Sequence, residues 1–328
     1  MISVLQLGTI DYATGLRLQE QLVTLRKEGR IGDVLLLLEH TPVITLGRNA
    51  KADNVIASPE LLAKRSVEVF ECNRGGDVTF HGPGQLVAYP IFDLRGFPSQ
   101  SPNRNSMGVI EFVRSLEEVL IRTCGEYGIP TKRISGLTGV WTGEGAHSTP
   151  SILPVAQGRF RPSKGHVGTA ALDRPGVAAP LKAVSSRAKQ DDSLANHPAQ
   201  SRDLLLCEVE RSSTPPEAKI AALGVHISRG VTSHGIALNV NTDLSFFNLI
   251  VPCGITSKPV TSIAKQLNRE VAMQDVAHVF ARNFGQVFSS QVLWLDSLDA
   301  LLGNNLGIPM SPPENLRKLR GEDDTTWA

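Results

Sequence analysis

The sequence predicts an α+β fold, a mixed β-sheet with flanking helices, and three observations predict it. Strand-like runs and amphipathic stretches follow one another without a regular βαβ rhythm. Asp33-Val-Leu-Leu-Leu-Leu-Glu39 is a continuous apolar run, the mark of a strand buried on both faces. Residues 106–127 place Val109, Phe112, Val113, Leu116, Val119 and Leu120 on one helical face.

Taken in order, residues 2–7 read as a first strand. Residues 11–29 carry Leu16, Leu18, Leu22 and Leu25 at roughly helical spacing. After the buried strand, residues 42–46 form another, and Gly47-Arg48-Asn49 a turn. Ser58-Pro59-Glu60 predicts a short helix, with Ser as cap and Pro at the first position. Residues 67–70 and 86–92 read as strands, and Pro90 predicts that the second is an edge or carries a bulge, since proline cannot donate to a ladder. A strand begins at Gly139-Val-Trp141 and is interrupted. Residues 144–216 hold 8 of the 20 prolines and one aromatic, Phe160. Such a stretch cannot bury enough apolar surface to offset its ordering entropy, so it predicts a largely disordered insertion, with residues 204–207 as a possible local contact. Its ends, Trp141-Thr-Gly143 and Ala218-Lys-Ile220, form a hairpin when joined, and hairpins accept long insertions because closure entropy grows slowly. Strands follow at 220–228 and 235–240, a helical turn at 243–248, a loop at 250–255, and helices at 260–267 and 273–288. The organisation is one domain over residues 1–295, interrupted at 144–216, with a polar tail at 296–328.

Composition excludes several classes. The formal net charge of +1 gives no overall field for nucleic acid or anionic membrane. No run of about 18 apolar residues exists to span a bilayer. Residues 1–10 lack both the basic start of a secretion signal and the Arg-rich look of an organellar presequence. Cys72, Cys124, Cys207 and Cys253 form no C-x-x-C pair, which argues against a disulfide framework or a zinc knuckle. No histidine pair has helix-borne metal spacing, so His40, His226 and His234 read as structural and no metal is expected.

Two stretches carry chemistry. Arg74-Gly75-Gly76-Asp77-Val78-Thr79-Phe80-His81-Gly82-Pro83-Gly84-Gln85 combines glycines, which let a ligand approach the main chain, with the donors Arg74, Thr79, His81 and Gln85. It is neither a phosphate loop nor a dinucleotide fingerprint. A glycine-rich hairpin without function is the plainer alternative. Those donors suit a carbonyl, a carboxylate or a phosphopantetheine-like arm. The second stretch holds Lys219 and Cys253. A lone cysteine is more often a small buried hydrophobe. Pro252-Cys253-Gly254, however, sets it in a tight loop whose amides can face a cleft and stabilise a thiolate or an oxyanion. The thiolate is the nucleophile, and an ammonium nearby favours it; Lys219 is the candidate, unless it is simply solvated at a strand end.

The residues 74–85, followed by Val87 and Tyr89-Pro90, together with Lys219 to Gly224, Gly230 to Val240 and Asn248 to Gly254, resemble the octanoyl-[acyl-carrier-protein]:protein N-octanoyltransferases, the lipoate-protein ligase B family. The 34-residue separation of Lys219 and Cys253 and the closing Val260-Thr-Ser-Ile263 are similar too. The likeness covers residues 1–143 and 217–295. It implies the fold shared by biotin and lipoate protein ligases. It implies an acyltransferase of lipoate biosynthesis in which Cys253 takes an octanoyl group from octanoyl-acyl carrier protein as a thioester, then passes it to a lysine of a lipoyl domain or of the glycine-cleavage H protein. Lys219 would lower the thiol's pKa and act as acid and base. Arg74, Gly75, Gly76, Asp77, Val78, Thr79, Phe80 and His81, with Ala222, Leu223, Gly224, Gly235, Ile236 and Ala237, would bind substrate. A thioester donor is already activated, so the resemblance implies no ATP, cofactor or metal; it also implies a monomer without nucleic-acid or membrane partners. The insertion is read as a eukaryote-like, fungal feature. That implies a mitochondrial address despite the missing presequence, with the cytoplasm as the alternative for a bacterial chain. The rivals are an ATP-dependent lipoate or biotin ligase of the same fold and an idle relative that binds lipoyl domains.

Overall fold

The computed structural model describes residues 1–99, 101–143, 217–254 and 258–303; the predicted insertion at 144–216, with Cys207, and the part of the predicted 296–328 tail from 304 onward lie outside them, whereas Leu298–Gly303 of that tail is helical and Leu301 is buried against the core. The described strands are β1 (Ile2–Ile10), β2 (Asp33–His40), β3 (Val43–Leu46), β4 (Glu68–Glu71), β5 (Val78–His81), β6 (Gln85–Ile91), β7 (Thr131–Ile134), β8 (Leu137–Thr142), β9 (Lys219–Ser228), β10 (Val231–Asn239) and β11 (Val292–Leu295). The α-helices are α1 (Tyr12–Lys27), α2 (Pro59–Lys64), α3 (Val109–Glu126), α4 (Ile263–Leu267), α5 (Met273–Val287) and α6 (Leu298–Gly303).

Eight strands form one mixed sheet in the order β11-β1-β2-β6-β10-β9-β8-β7, parallel among β11, β1 and β2 and antiparallel elsewhere. A second sheet, β4-β3-β5, has three strands. The apolar run of β2 alternates between two cores, as a central strand must. Leu35 and Leu37 join Phe112, Leu116 and Val119 of α3 and Phe280 and Phe284 of α5. Leu36 and Leu38 join Leu18, Leu22 and Leu25 of α1. A third cluster, Ile44, Val78, Phe80, Phe247, Leu249 and Ile250, lies under the small sheet.

Helix starts follow their side chains. Asp11 caps α1 through Oδ1, which accepts the Thr14 N–H at 2.8 Å, and Ser58 caps α2 with Pro59 first in the helix. The β8 and β9 strands pair directly, Val140 opposite Ala221 and Trp141 opposite Lys219, and the Thr142 N–H donates to Ala218 O at 2.8 Å. The chain thus leaves and re-enters the sheet between neighbouring strands.

The edge assignment of Pro90 is corrected. β6 lies between β2 and β10, deep in the sheet. Continuing the β6–β10 register past Ile236↔Ala88 sets His234 opposite Pro90, and that rung is broken. The Pro90 carbonyl accepts instead from the Thr232 hydroxyl at 2.6 Å, and the His234 N–H donates to Gln19 Oε1 of α1 at 2.7 Å. Both orphaned groups find side-chain partners, so a central strand tolerates the proline. His234 pays in backbone conformation, with φ at +55°.

Candidate active site

The glycine stretch crosses from the small sheet to the large one: β5 carries Val78 to His81, Gly82-Pro83-Gly84 turns, and β6 starts at Gln85. Its first residues lie between the turn after β3 and the strand β9. The Arg48 N–H donates to Arg74 O at 3.0 Å, the Gly47 N–H to Asp77 O at 3.2 Å and the Gly75 N–H to Val225 O at 3.1 Å. A methyl group on Gly224 would meet the Gly75 carbonyl oxygen at 2.6 Å, so the two backbones approach more closely than side chains allow. Gly76 has φ at +91°, which an L-residue rarely adopts.

A narrow cleft, partly open to solvent, lies between this stretch and β9–β10. Arg74, Gly76, Asp77, Thr79 and His81 line one wall, and Ala222, Leu223, Gly224, Gly235, Ile236 and Ala237 the other. Of the substrate-binding set predicted from sequence, Gly75, Val78 and Phe80 do not line it. Gly75 holds the stretch to β9, Val78 is core, and Phe80 stacks on Phe246 with ring centroids 4.6 Å apart. Tyr12, Val87, Tyr89 and His234 line the cleft and were not singled out in the sequence for that role. His234 directly precedes Gly235 of β10, and Val87 and Tyr89 follow the glycine stretch.

The polar wall is closely tied to itself. Arg74, 7% exposed, donates from Nε to Thr45 Oγ1 at 3.0 Å, from a terminal nitrogen to Thr45 O at 2.5 Å, and to Gly75 O at 3.1 Å. Thr45, a lone hydroxyl in an apolar strand, is therefore the anchor of the arginine. The His81 Nδ1–H donates to Gln85 Oε1 at 2.8 Å; Gln85 Nε2 donates to Phe80 O at 3.2 Å and to Asn239 Oδ1 at 2.9 Å; Asn239 Nδ2 donates to Thr261 O at 2.9 Å. Burial pushes His81 down to about 3, with help from His40 and Arg74. It pushes His40 and His234 each to about 4. All three imidazoles are neutral near pH 7.

Lys219 opens β9, is 7% exposed, and is fixed by its backbone: its N–H donates to Pro259 O at 2.8 Å and its carbonyl accepts the Thr261 N–H at 2.9 Å. Its Nζ stands 5.1 Å from the Trp141 ring centroid, a cation–π contact. Gly139 leaves room for it, since a methyl there would meet Lys219 Cε at 2.7 Å. Lys219 and Pro252 line a second, very small cavity with Gln85, Ala221 and Asn239. Thr79, Ala222 and Ala237 line both cavities, so the two adjoin. Pro252–Gly254 forms a 3-10 turn. The Cys253 side chain lies outside what is described, as does Ile255, so the turn is known by its backbone. Among the described side chains Cys72 and Cys124 are free thiols, and no group of three or more His, Cys, Asp or Glu could hold a metal ion. No described helix is long and apolar enough to cross a membrane.

The cleft has apolar and glycine walls facing a polar side that includes Arg74 and Asp77, with Lys219 in the adjoining cavity. The fold carrying it is that of lipoate protein ligases. A bi-partite lipoate protein ligase of Thermoplasma acidophilum superposes with a TM-score of 0.54 at 13% identity, covering 98% of this chain and 90% of that one. A lipoate-protein ligase A bound with ATP gives 0.53 at 12% identity, covering 98% and 92%. Residues 11–285 match the lipoyl protein ligase A/B catalytic domain, and the chain belongs to this family. Relatives named octanoyltransferase include one from Koribacter versatilis, 48% identical over 98% of both chains, and one from Acidobacterium capsulatum, 46% identical over 92% of this chain and 96% of that one. The α+β, ligase-like fold expected from sequence is the fold found.

These relatives also correct an expectation. An alignment of 323 residues spanning 98% of both chains runs through 144–216, so a bacterial protein shares that span. The segment is no mark of a eukaryotic or fungal chain, and the mitochondrial address drawn from it loses that support.

Proposed function

We propose that the chain is an octanoyltransferase of protein lipoylation that works through a thioester on Cys253. The observation that carries this is the adjacency of the two cavities: the slot lined by Arg74, Thr79 and Gly224 shares Thr79, Ala222 and Ala237 with the one lined by Lys219 and by Pro252, next to Cys253. In the first step the Cys253 thiolate attacks the carbonyl carbon of an octanoyl thioester on a carrier protein. The C–S bond to the donor breaks, and the proton that left Cys253 passes through Lys219 to the departing thiolate. In the second step the neutral ε-amine of an acceptor lysine attacks the acyl-Cys253 carbonyl. An amide forms, the Cys253 thiolate leaves, and Lys219 takes the amine's proton.

Arg74, Gly76, Asp77, Thr79 and His81 and Ala222, Leu223, Gly224, Gly235, Ile236 and Ala237 hold the acyl chain in this reading. Burial at about 0.8 kcal/mol per CH2 contributes several kcal/mol to its binding. Donor and acceptor are an acyl carrier protein and a lipoyl domain or glycine-cleavage H protein. With bacterial relatives, the bacterial cytoplasm is the address we assign. No activation by ATP is required, because the donor is already a thioester.

Intact mass spectrometry after incubation with octanoyl-carrier protein, without ATP, tests the reading. An octanoyl adduct is expected on the wild type and not on Cys253→Ala; its absence from the wild type overturns the mechanism. Lys219→Ala is expected to lose most of the adduct rate while remaining folded. Transfer that requires free octanoate and ATP would place the chain among the ATP-dependent ligases instead.

A further inference from the structure

The turn that carries Cys253 has little to hold it in place from within. It is three residues long, Pro252 has no N–H, and its internal bond is the Gly254 N–H to Val251 O at 3.1 Å. Its position is set from outside. Residues 54–57 run beside 249–251: the Val251 N–H donates to Asn54 O at 2.7 Å, Val55 bridges Ile250, and the Ile56 and Ala57 N–H groups donate to Leu249 O at 3.0 and 3.1 Å. The Asn54 side chain then turns to the glycine stretch, where Nδ2 donates to Asp77 Oδ2 at 2.6 Å. The other Asp77 oxygen accepts the Val78 N–H at 2.8 Å and the Lys51 N–H at 3.2 Å. Gly254 lies against the same carboxylate: a methyl on it would stand 3.0 Å from Asp77 Oδ2.

We infer that Asn54 and Asp77 are positioning residues for the reaction, a pair that fixes the Cys253 turn against the glycine stretch. The inference rests on Cys253 being the acylated residue. Asp77 then acts mainly by registering the acyl-binding stretch with the nucleophile's turn, with its carboxylate already occupied by three protein donors. Asn54 is part of neither sequence motif and gains its role only through Asp77 and Val251.

Polarity makes the pair testable. Asn54→Asp sets two carboxylates face to face. Asp77→Asn can still accept the Val78 and Lys51 N–H groups but sets an amide nitrogen against the Asn54 amide. The double variant Asn54→Asp with Asp77→Asn restores a donor facing an acceptor with the direction reversed. Displacement of a reacting group by about 1 Å costs about 10²-fold in rate. Each single variant is therefore expected to lower kcat by up to about 10²-fold, with little change in KM for the octanoyl donor. The double variant is expected to recover most of the loss. Thermal melting identifies any variant that does not fold. Folded single variants with wild-type kcat overturn the inference, as does a folded double variant that is no faster than the singles. The Cys253 adduct on the wild type, measured in the same series, separates the two readings: if it fails to form, the mechanism itself is wrong, whereas adduct on the wild type with unchanged rates in the variants removes only the Asn54–Asp77 role.

Discussion

Replacing Gly224 by alanine tests the idea that backbone contact between the glycine stretch and β9 shapes the acyl slot. The added methyl would stand 2.6 Å from the Gly75 carbonyl oxygen, where ordinary contacts begin at 3.4 Å. The stretch must therefore withdraw by roughly 0.8 Å, since neither backbone can rotate a carbonyl away without losing its own bonds. The Gly75 N–H to Val225 O bond, at 3.1 Å, lies beside the clash and is lost or lengthened. Overpacking of this kind costs about 1–3 kcal/mol of stability. The functional effect should be larger. Arg74, Gly76 and Thr79 move with the stretch, and misplacement near 1 Å is worth about 10²-fold in rate. The assay pairs urea unfolding with the initial rate of octanoyl adduct formation on Cys253. Gly125→Ala is the control: it lies in α3 with nothing near the new methyl, and should stabilise by up to about 1 kcal/mol with no effect on rate. A Gly224→Ala protein with wild-type adduct rate and wild-type stability would refute the reasoning.

Two further outcomes follow from the same geometry. Gln85→Leu leaves His81 Nδ1, Phe80 O and Asn239 Oδ1 without their partner, and should cost about 1–3 kcal/mol for each buried group left unpaired, read by denaturant unfolding. A loss below that of a single hydrogen bond would show that the site relaxes or admits water. Acid should destabilise the fold through His40, His81 and His234, whose folded pKa values of about 4, 3 and 4 lie below the ordinary 6.5. The unfolded chain binds more protons below pH 6.5, so the stability is complete above it and declines as pH falls toward the folded values, by up to about 1.4 kcal/mol per pH unit for each histidine. Urea midpoints that stay flat between pH 7 and 5 would mean that these rings protonate without cost.

The parts of this architecture that were legible are those whose signal is local. The apolar run of β2 names a central strand by itself, and the faces of α3 and α5 repeat at the helical period. Arg74 to Gln85 stands out because glycines, a proline and polar donors are concentrated in twelve consecutive residues. What was not legible depends on partners far along the chain. Pro90 reads as an edge because the rule concerns a missing donor; the rule fails because Thr232 and Gln19, on β10 and α1, serve the groups that the broken rung leaves over. Strand β11 is four residues long with no alternation to mark it, and is a strand because β1 offers a free parallel edge. Thr45 looks like one hydroxyl in an apolar strand until Arg74 is placed beside it. Tyr12 sits at a helix start, and nothing near it in sequence points to a cleft.

The polar groups around the slot also bear on which of them exchanges the proton. Three histidines approach the cleft region, and burial holds all of them neutral, His81 at about 3 and His40 and His234 at about 4. Bases that weak take little part in accepting a proton from a thiol or an amine near pH 7. The Arg74 donors are committed to Thr45 and Gly75. Lys219, proposed above as acid and base, lines the adjoining cavity together with Pro252. Its backbone is fixed on both sides by Pro259 and Thr261, so its side chain works from a rigid base. The histidines tie the wall instead: His81 is linked through Gln85 and Asn239 to Thr261, the residue whose N–H meets the Lys219 carbonyl. The glycine stretch and Lys219 are in this way joined by a run of hydrogen bonds through Thr261, although they stand far apart in sequence.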